Sequence, residues 1–155
     1  MQATHRARGQ PFFLVLDTAC GARRGELLAL CWTDIGPDYR SITISKSLEQ
    51  TKAGLRLKET KGRNVRTIPL SGDAIEALKR VRTSQDEIRK MCGSNYHSEL
   101  DLVFCHPDGN YIRPDTVTKA VRRIAKRAGF SRQIGSTTSE VCRCLHNRPG
   151  EILSY

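Results

Sequence analysis

The chain begins with two apolar segments that are separated by a charged turn. One face of the first segment recurs at i, i+4, i+7 and i+8, with Phe12, Leu16, Ala19 and Cys20. Gly21 follows and ends this helix, because glycine adopts the left-handed conformation without steric cost. A second apolar run covers residues 27–30. The pattern predicts one helix over residues 11–20 and another over about 24–31.

Three short segments further along have the composition of β-strands. Residues 41–45 and 55–58 alternate apolar with polar positions, and residues 65–70 are rich in β-branched side chains. Turn-forming residues connect them at 52–54 and 61–64. We expect a small antiparallel three-stranded β-sheet.

Two more helices complete the pattern. Ser71 is placed to cap a helix that runs to about Met91, with a buried face of Ala74, Ala77, Leu78 and Val81. The charged stretches 79–82 and 85–90 of this helix are predicted to be solvated surface. Pro114 opens the last helix, whose apolar stripe is Val117, Val121, Ile124, Ala125 and Ala128. The predicted fold class is α+β, mainly helical.

Composition sets the outer limits. The 155 residues suffice for one domain with a core, and no apolar stretch is long enough to span a bilayer. The six cysteines show no Cys-x-x-Cys spacing, which favours free thiols in the cytoplasm. A metal site at Cys142, Cys144 and His146 is disfavoured because so short a cluster cannot supply four ligands. No metal and no cofactor are expected.

Charge points to a polyanionic partner. Lysine and arginine number 26 against 16 acidic residues, a formal net charge of +10. A merely soluble basic surface is the alternative, but the excess is clustered. Residues 52–66 carry six basic side chains and one acidic one, and residues 119–127 carry five basic side chains and no acidic one.

The second cluster lies on one face of the last predicted helix. Its members recur at i, i+3, i+4, i+7 and i+8, nearly opposite the apolar stripe, and are Lys119, Arg122, Arg123, Lys126 and Arg127. A solvated face would usually include acidic i,i+4 partners, and residues 119–127 have none. Contact with phosphates is therefore the favoured interpretation.

The turn between the first two helices contains Arg23, Arg24 and Glu26. A guanidinium held near a core is costly unless it meets an anion. Either arginine could simply pair with Glu26 and close the turn, or it could be held for an external anion. Spacing alone leaves both interpretations open.

Residues 21–30, Gly-Ala-Arg-Arg-Gly-Glu-Leu-Leu-Ala-Leu, resemble the first box of the tyrosine recombinases, the integrases of phages and conjugative transposons. Cys20 stands where that box usually has a threonine. The resemblance implies that Arg23 is the first catalytic arginine. It also implies that Glu26 is the buried carboxylate that supports the box.

Residues 61–70 resemble the β-hairpin of the same family, in which a lysine precedes a tight turn and the returning strand ends in Pro-Leu. The resemblance implies that Lys61 is the catalytic lysine, with Lys58 as the competing candidate if the hairpin register differs. Lys58, Arg63 and Arg66 are expected to contact DNA. The alternative is an ordinary charged hairpin tip.

The resemblance runs from about Pro11 to Phe130 and then stops. Family members continue with His-x-x-Arg, a Gly-His/Trp box and a nucleophilic tyrosine, but residues 131–155 contain no His-x-x-Arg. We expect residues 1–10 to be a linker, residues 11–130 to be part of the catalytic domain, and residues 131–155 to be a divergent tail. A truncated or frame-disrupted copy would explain this pattern.

The family implies DNA cleavage through a 3′-phosphotyrosine, in which arginines and histidines neutralise the phosphate and lysine protonates the leaving oxygen. Double-stranded DNA and other recombinase protomers on a DNA synapse are the implied partners, at the nucleoid and not at a membrane. With the second arginine, the histidines and the nucleophile missing, we expect the chain alone to be inactive. A non-catalytic DNA-binding remnant is the alternative function.

Overall fold

A computed structural model describes residues 10–59 and 65–127. Within these ranges the chain forms four α-helices and four short β-strands: α1 Gln10–Cys20, α2 Arg24–Leu28, β1 Ser41–Ile44, β2 Lys46–Thr51, β3 Gly54–Glu59, β4 Arg66–Pro69, α3 Gly72–Cys92 and α4 Pro114–Arg127. The predicted α+β class with helices predominating is confirmed. Across the described part of the chain, no helix combines the length and the apolar character needed to cross a membrane.

The strands pair in two separate antiparallel ribbons instead of one three-stranded sheet. β1 pairs with β4, with Ile42 opposite Ile68, and β2 pairs with β3, with Leu48 opposite Leu57. The strand missed by the sequence pattern is β2, whose sequence Lys-Ser-Leu-Glu-Gln-Thr has a single apolar residue. Every residue of its partner β3 is exposed, so this ribbon buries too little surface to need a regular alternation.

The core lies between α1, α2, α3 and the β1 strand. Its fully buried side chains include Leu16, Leu27, Leu28, Ile42, Leu78 and Val103. The predicted buried face of α3 is confirmed at all four positions. In α1 the prediction was wrong at Ala19, which is exposed, whereas Phe13 is buried and packs edge-on against Phe104 with ring centroids 5.1 Å apart.

The short helix α2 lies directly on β2, and Gly25 makes this approach possible. A Cβ atom at Gly25 would lie 2.6 Å from Ser47 Oγ and 2.7 Å from the carbonyl oxygen of Leu48. Any side chain would therefore separate the two elements. The helix ends before the predicted residue 31, because Cys31 instead forms a β-bridge with Leu102.

Hydrogen bonds connect Trp32, which lies shortly after α2, to Gln85 of α3. Trp32 Nε1 donates to Gln85 Oε1 at 2.7 Å, and Gln85 Nε2 donates to the carbonyl oxygen of Val103 at 2.8 Å. Arg82 lies over the Trp32 ring, 4.9 Å from its centroid. The prediction that these parts of α3 are only solvated surface was wrong for Arg82 and Gln85.

Candidate nucleic-acid interface

The centre of the site is the buried carboxylate of Glu26, whose side chain is 3% exposed. Arg66 donates to it twice, from Nη2 to Oε2 at 2.7 Å and from Nη1 to Oε1 at 3.2 Å. This two-bond arrangement is the strongest geometry for an arginine and a carboxylate. It fixes β4 against α2.

Glu26 also supports the backbone at the start of its own helix. The N–H of Arg23 donates to Glu26 Oε2 at 2.8 Å and thereby satisfies a backbone donor at the helix start. Burial by itself would raise the pKa of Glu26, but the hydrogen bonds from Arg66 and from the Arg23 N–H hold this pKa below its ordinary value. The carboxyl group is therefore ionised at neutral pH.

The guanidinium of Arg23 points into solvent, and its side chain is 87% exposed. Its contact with Glu26 is long, 3.7 Å from Nη1 to Oε1, and so loose a contact from an exposed arginine contributes little to stability. The sequence left open the possibility that an arginine simply closes the turn by pairing with Glu26. At Arg23 this pairing is present but weak. Most of the Arg23 donors face the solvent.

Arg24 extends in another direction and contacts α4. Its Nη1 donates to the Thr118 hydroxyl. A second polar contact holds the start of the same helix, because Gln50 Nε2 donates to Asp115 Oδ2 at 2.9 Å. The helix α4 is therefore tied to α2 and to the β2 strand.

The basic face of α4 is solvent-exposed at all four positions whose side chains the structure describes: Lys119, Arg122, Arg123 and Lys126. The fifth predicted member, Arg127, is the last residue of α4, and its side chain lies outside the described part. Asp115, one turn before Lys119, is the nearest acid of the helix, and its carboxylate is already engaged by Gln50.

The two edges of this face have different neighbours. Lys119 and Arg123 line an apolar cavity of about 390 Å³ between α1, α3 and α4. Arg122 and Lys126 are not part of that lining and continue the row that starts at Thr118, next to Arg24. The side of α4 that carries Arg122 and Lys126 is thus the side that contacts α2 through the bond from Arg24 to Thr118.

The hairpin residues predicted to contact DNA are only partly described. Lys58 is 62% exposed and pairs with Glu49, with 3.5 Å between Nζ and Oε1. Arg66 is 40% exposed and is engaged by Glu26. Lys61 and Arg63 lie outside the described residues, so Lys61 stays a prediction, with Lys58 as the alternative.

Two contacts at this site were missed from the sequence. Arg66 was assigned to DNA and not to Glu26, and Arg24 was considered as a partner of Glu26 or of an external anion and not of Thr118. These partners are 40 and 94 residues apart along the chain, so no local spacing reveals them. Over residues 10–59 and 65–127 there is no group of three or more potential metal ligands placed to hold an ion.

The family model described as the phage integrase family matches residues 2–143. A tyrosine recombinase XerC-like protein from Caldanaerobacter subterraneus subsp. tengcongensis is 32% identical over 131 residues, which cover 76% of this chain and 33% of that protein. The chain therefore belongs to the phage integrase family of tyrosine recombinases. It spans about a third of the length of this curated relative.

Solved structures of recombinases share the fold. The Tn1549 transposon integrase in complex with a circular intermediate DNA matches with a TM-score of 0.70 at 18% identity, covering 96% of this chain and 48% of that one. The XerH site-specific recombinase bound to its difH substrate matches with a TM-score of 0.61 at 25% identity, covering 99% and 39%. The XerA recombinase matches with a TM-score of 0.59 at 14% identity, covering 96% and 52%.

Proposed function

We propose that this chain is the N-terminal and central part of a recombinase catalytic domain and that it binds duplex DNA in site-specific recombination. The observation that supports this most is the position of α2, which directly follows the exposed Arg23 and is bonded to both basic elements. Arg66 of β4 reaches α2 through Glu26, and α4 reaches it through Arg24. Three sources of positive charge therefore meet at one short helix.

Each residue has a proposed role in the chemistry of the family. Arg23 neutralises a non-bridging oxygen of the scissile phosphate, and its exposure of 87% leaves the guanidinium accessible to a strand. Lys61 protonates the leaving oxygen. Glu26 and Arg66 support the backbone from which Arg23 extends, and the α4 face contacts phosphates on either side.

Strand cleavage also needs an activated nucleophile and a complete set of charge-neutralising groups. Because residues 131–155 contain no His-x-x-Arg, we propose that the 155-residue sequence binds DNA without cleaving it by itself. A non-catalytic DNA-binding remnant is the alternative for its role. Duplex DNA is the proposed partner in both cases, at the nucleoid, together with further recombinase protomers in the first case.

The binding proposal is tested by the salt dependence of affinity for duplex DNA, measured by fluorescence anisotropy. A log–log slope of about −0.9 per neutralised phosphate is expected for B-DNA. Replacing Arg122, Arg123 and Lys126 by alanine should flatten the slope by about 2 to 3, because up to three phosphate contacts are lost.

The matched control removes the same charge elsewhere. Lys79, Arg80 and Lys90 are exposed on α3, and their triple alanine variant should keep the wild-type slope. Equal flattening in both variants would mean that only net charge matters and that α4 is not an interface. A wild-type chain that is folded but shows no salt-dependent binding would overturn the proposed function.

A further inference from the structure

The bond between Arg24 and Thr118 has a defined direction. Thr118 Oγ1 donates its one proton to the carbonyl oxygen of Pro114 at 3.2 Å, so its lone pairs are available to a donor. Arg24 Nη1 is that donor, and a guanidinium cannot accept. Pro114 is fully buried at the first position of α4. The two consecutive hydrogen bonds from Arg24 to Thr118 and from Thr118 to Pro114 therefore end at a buried residue.

Thr118 is also the first member of a row on α4. Arg122 follows four residues later and Lys126 eight residues later, so all three lie on nearly the same side of the helix. At a rise of ~1.5 Å per residue the row is about 12 Å long. Within it, Arg122 and Lys126 are about 6 Å apart along the axis, so their long side chains can contact neighbouring phosphates.

Arg24 occupies the residue directly after Arg23. We propose that Arg24 is a positioning residue: by holding Thr118, it keeps the row of Arg122 and Lys126 in register with the Arg23 guanidinium, so that one DNA backbone meets both. This inference rests on the proposed DNA-binding function. It assigns no direct DNA contact to Arg24 itself, because Arg24 is half-buried and its guanidinium is engaged by Thr118.

The Thr118→Val variant of the full chain tests this without changing net charge or side-chain shape. We expect its slope of log affinity against log salt for duplex DNA to flatten by about 1, one phosphate contact, at a temperature well below unfolding. Arg24→Ala should flatten the slope equally, and the double variant should be no worse than Arg24→Ala, because both changes break one contact. Thr118→Ser keeps the hydroxyl and should behave as wild type.

The exposed Thr116 provides the matched control on the same helix, and Thr116→Val should leave the slope unchanged. A direct DNA contact by Arg24 would flatten the slope in Arg24→Ala but not in Thr118→Val, and this result would overturn the positioning role. A Thr118→Val variant with a lower melting temperature and an unchanged slope would show a merely structural contact, which also overturns it.

The contact can be measured apart from DNA. A thermal double-mutant cycle of Arg24→Ala and Thr118→Val should give melting-temperature shifts that do not add, and additive shifts would contradict the contact itself. If the cycle shows coupling and the wild-type chain binds no DNA, the contact stands but the proposed function fails, and the positioning role fails with it. If the chain binds DNA and the slopes of the variants match wild type, only the positioning role fails.

Discussion

Arg66 and Glu26 form an ion pair in which two parallel hydrogen bonds, 2.7 and 3.2 Å long, join a half-buried strand to a buried carboxylate. Because Glu26 is 3% exposed, its charge depends on Arg66 and on the Arg23 N–H for compensation. Loss of one partner of such a pair leaves a desolvated charge or an unsatisfied polar group. The backbone from which Arg23 extends therefore depends on the contact between Glu26 and Arg66.

The first prediction concerns Glu26→Gln. At pH 7 this change should lower the free energy of unfolding by about 2 kcal/mol, because a neutral amide loses the charge-assisted bonds to Arg66. Folding lowers the pKa of Glu26. Its stabilising contribution is therefore complete above the unfolded-state pKa of about 4.3 and disappears as pH falls through the lower folded-state pKa.

Urea denaturation at a series of pH values measures this effect. The difference between wild type and Glu26→Gln should be constant near neutrality and shrink below about pH 4. Glu49→Gln is the control, because Glu49 is 43% exposed and its contact with Lys58 is a surface pair. A wild-type advantage that stays constant down to the lowest pH would contradict the assigned role of the carboxylate.

The second prediction concerns the close approach of α2 to β2. Gly25→Ala should cost about 1–3 kcal/mol of stability, since the new Cβ atom would lie 2.7 Å from a backbone oxygen that cannot move alone. Gly72→Ala is the matched control: Gly72 begins α3, and a methyl group added there would meet no neighbouring atom within 4 Å, so this change should be neutral or slightly stabilising. Thermal unfolding compares the two variants, and equal melting temperatures would contradict the packing argument.

The sequence predicts those features that depend on local periodicity. The four buried residues of α3 recur with helical spacing, and the start of α4 at Pro114 follows from the preference of proline for a first helical position. The first-box motif likewise locates Glu26 and Arg23 at the start of one helix.

Features that depend on contacts between distant residues could not be predicted. β2 has one apolar side chain and exists because β3 and α2 lie against it, so its pattern resembles a loop. Gln85 is polar by composition but is held by the Trp32 indole from 53 residues away. Arg66 belongs to a basic cluster in the sequence, yet its partner is a buried acid on another element.

The third prediction concerns the reactivity of Cys20. Burial and the nearby Asp17 raise the pKa of its thiol to about 11, so little thiolate is present at neutral pH. Alkylation by iodoacetamide in the folded chain should be slow at pH 7.5 and should rise with pH up to about 11, whereas the urea-unfolded chain should titrate near 8.5. Mass spectrometry after trypsin digestion separates Cys20 from the other cysteines. Fast alkylation of folded Cys20 at neutral pH would contradict its burial.

The fourth prediction is that the 155-residue chain forms no covalent adduct with a suicide DNA substrate. Without an activated nucleophile the covalent route is closed, and water is a poor substitute when part of the charge-neutralising set is missing. Denaturing gel electrophoresis detects the adduct. If the unmodified chain does form one, the interpretation of residues 131–155 is wrong, and Tyr155→Phe is the first variant to examine.

The last prediction tests Arg23 and Lys61 in a complete site. A chimera that continues from about Phe130 with the C-terminal part of an active tyrosine recombinase, together with that protein's N-terminal domain and DNA site, should form the adduct. Arg23→Ala should abolish it, because the exposed guanidinium is the proposed phosphate ligand and loss of one such donor costs roughly 100- to 1000-fold in rate. Lys61→Ala should slow formation by about 100-fold or more, as expected for loss of a general acid.

Lys58→Ala provides the control, since this lysine pairs with Glu49 on the exposed ribbon and should keep near wild-type cleavage. A slow Lys58→Ala chimera beside a normal Lys61→Ala chimera would assign the proton transfer to Lys58.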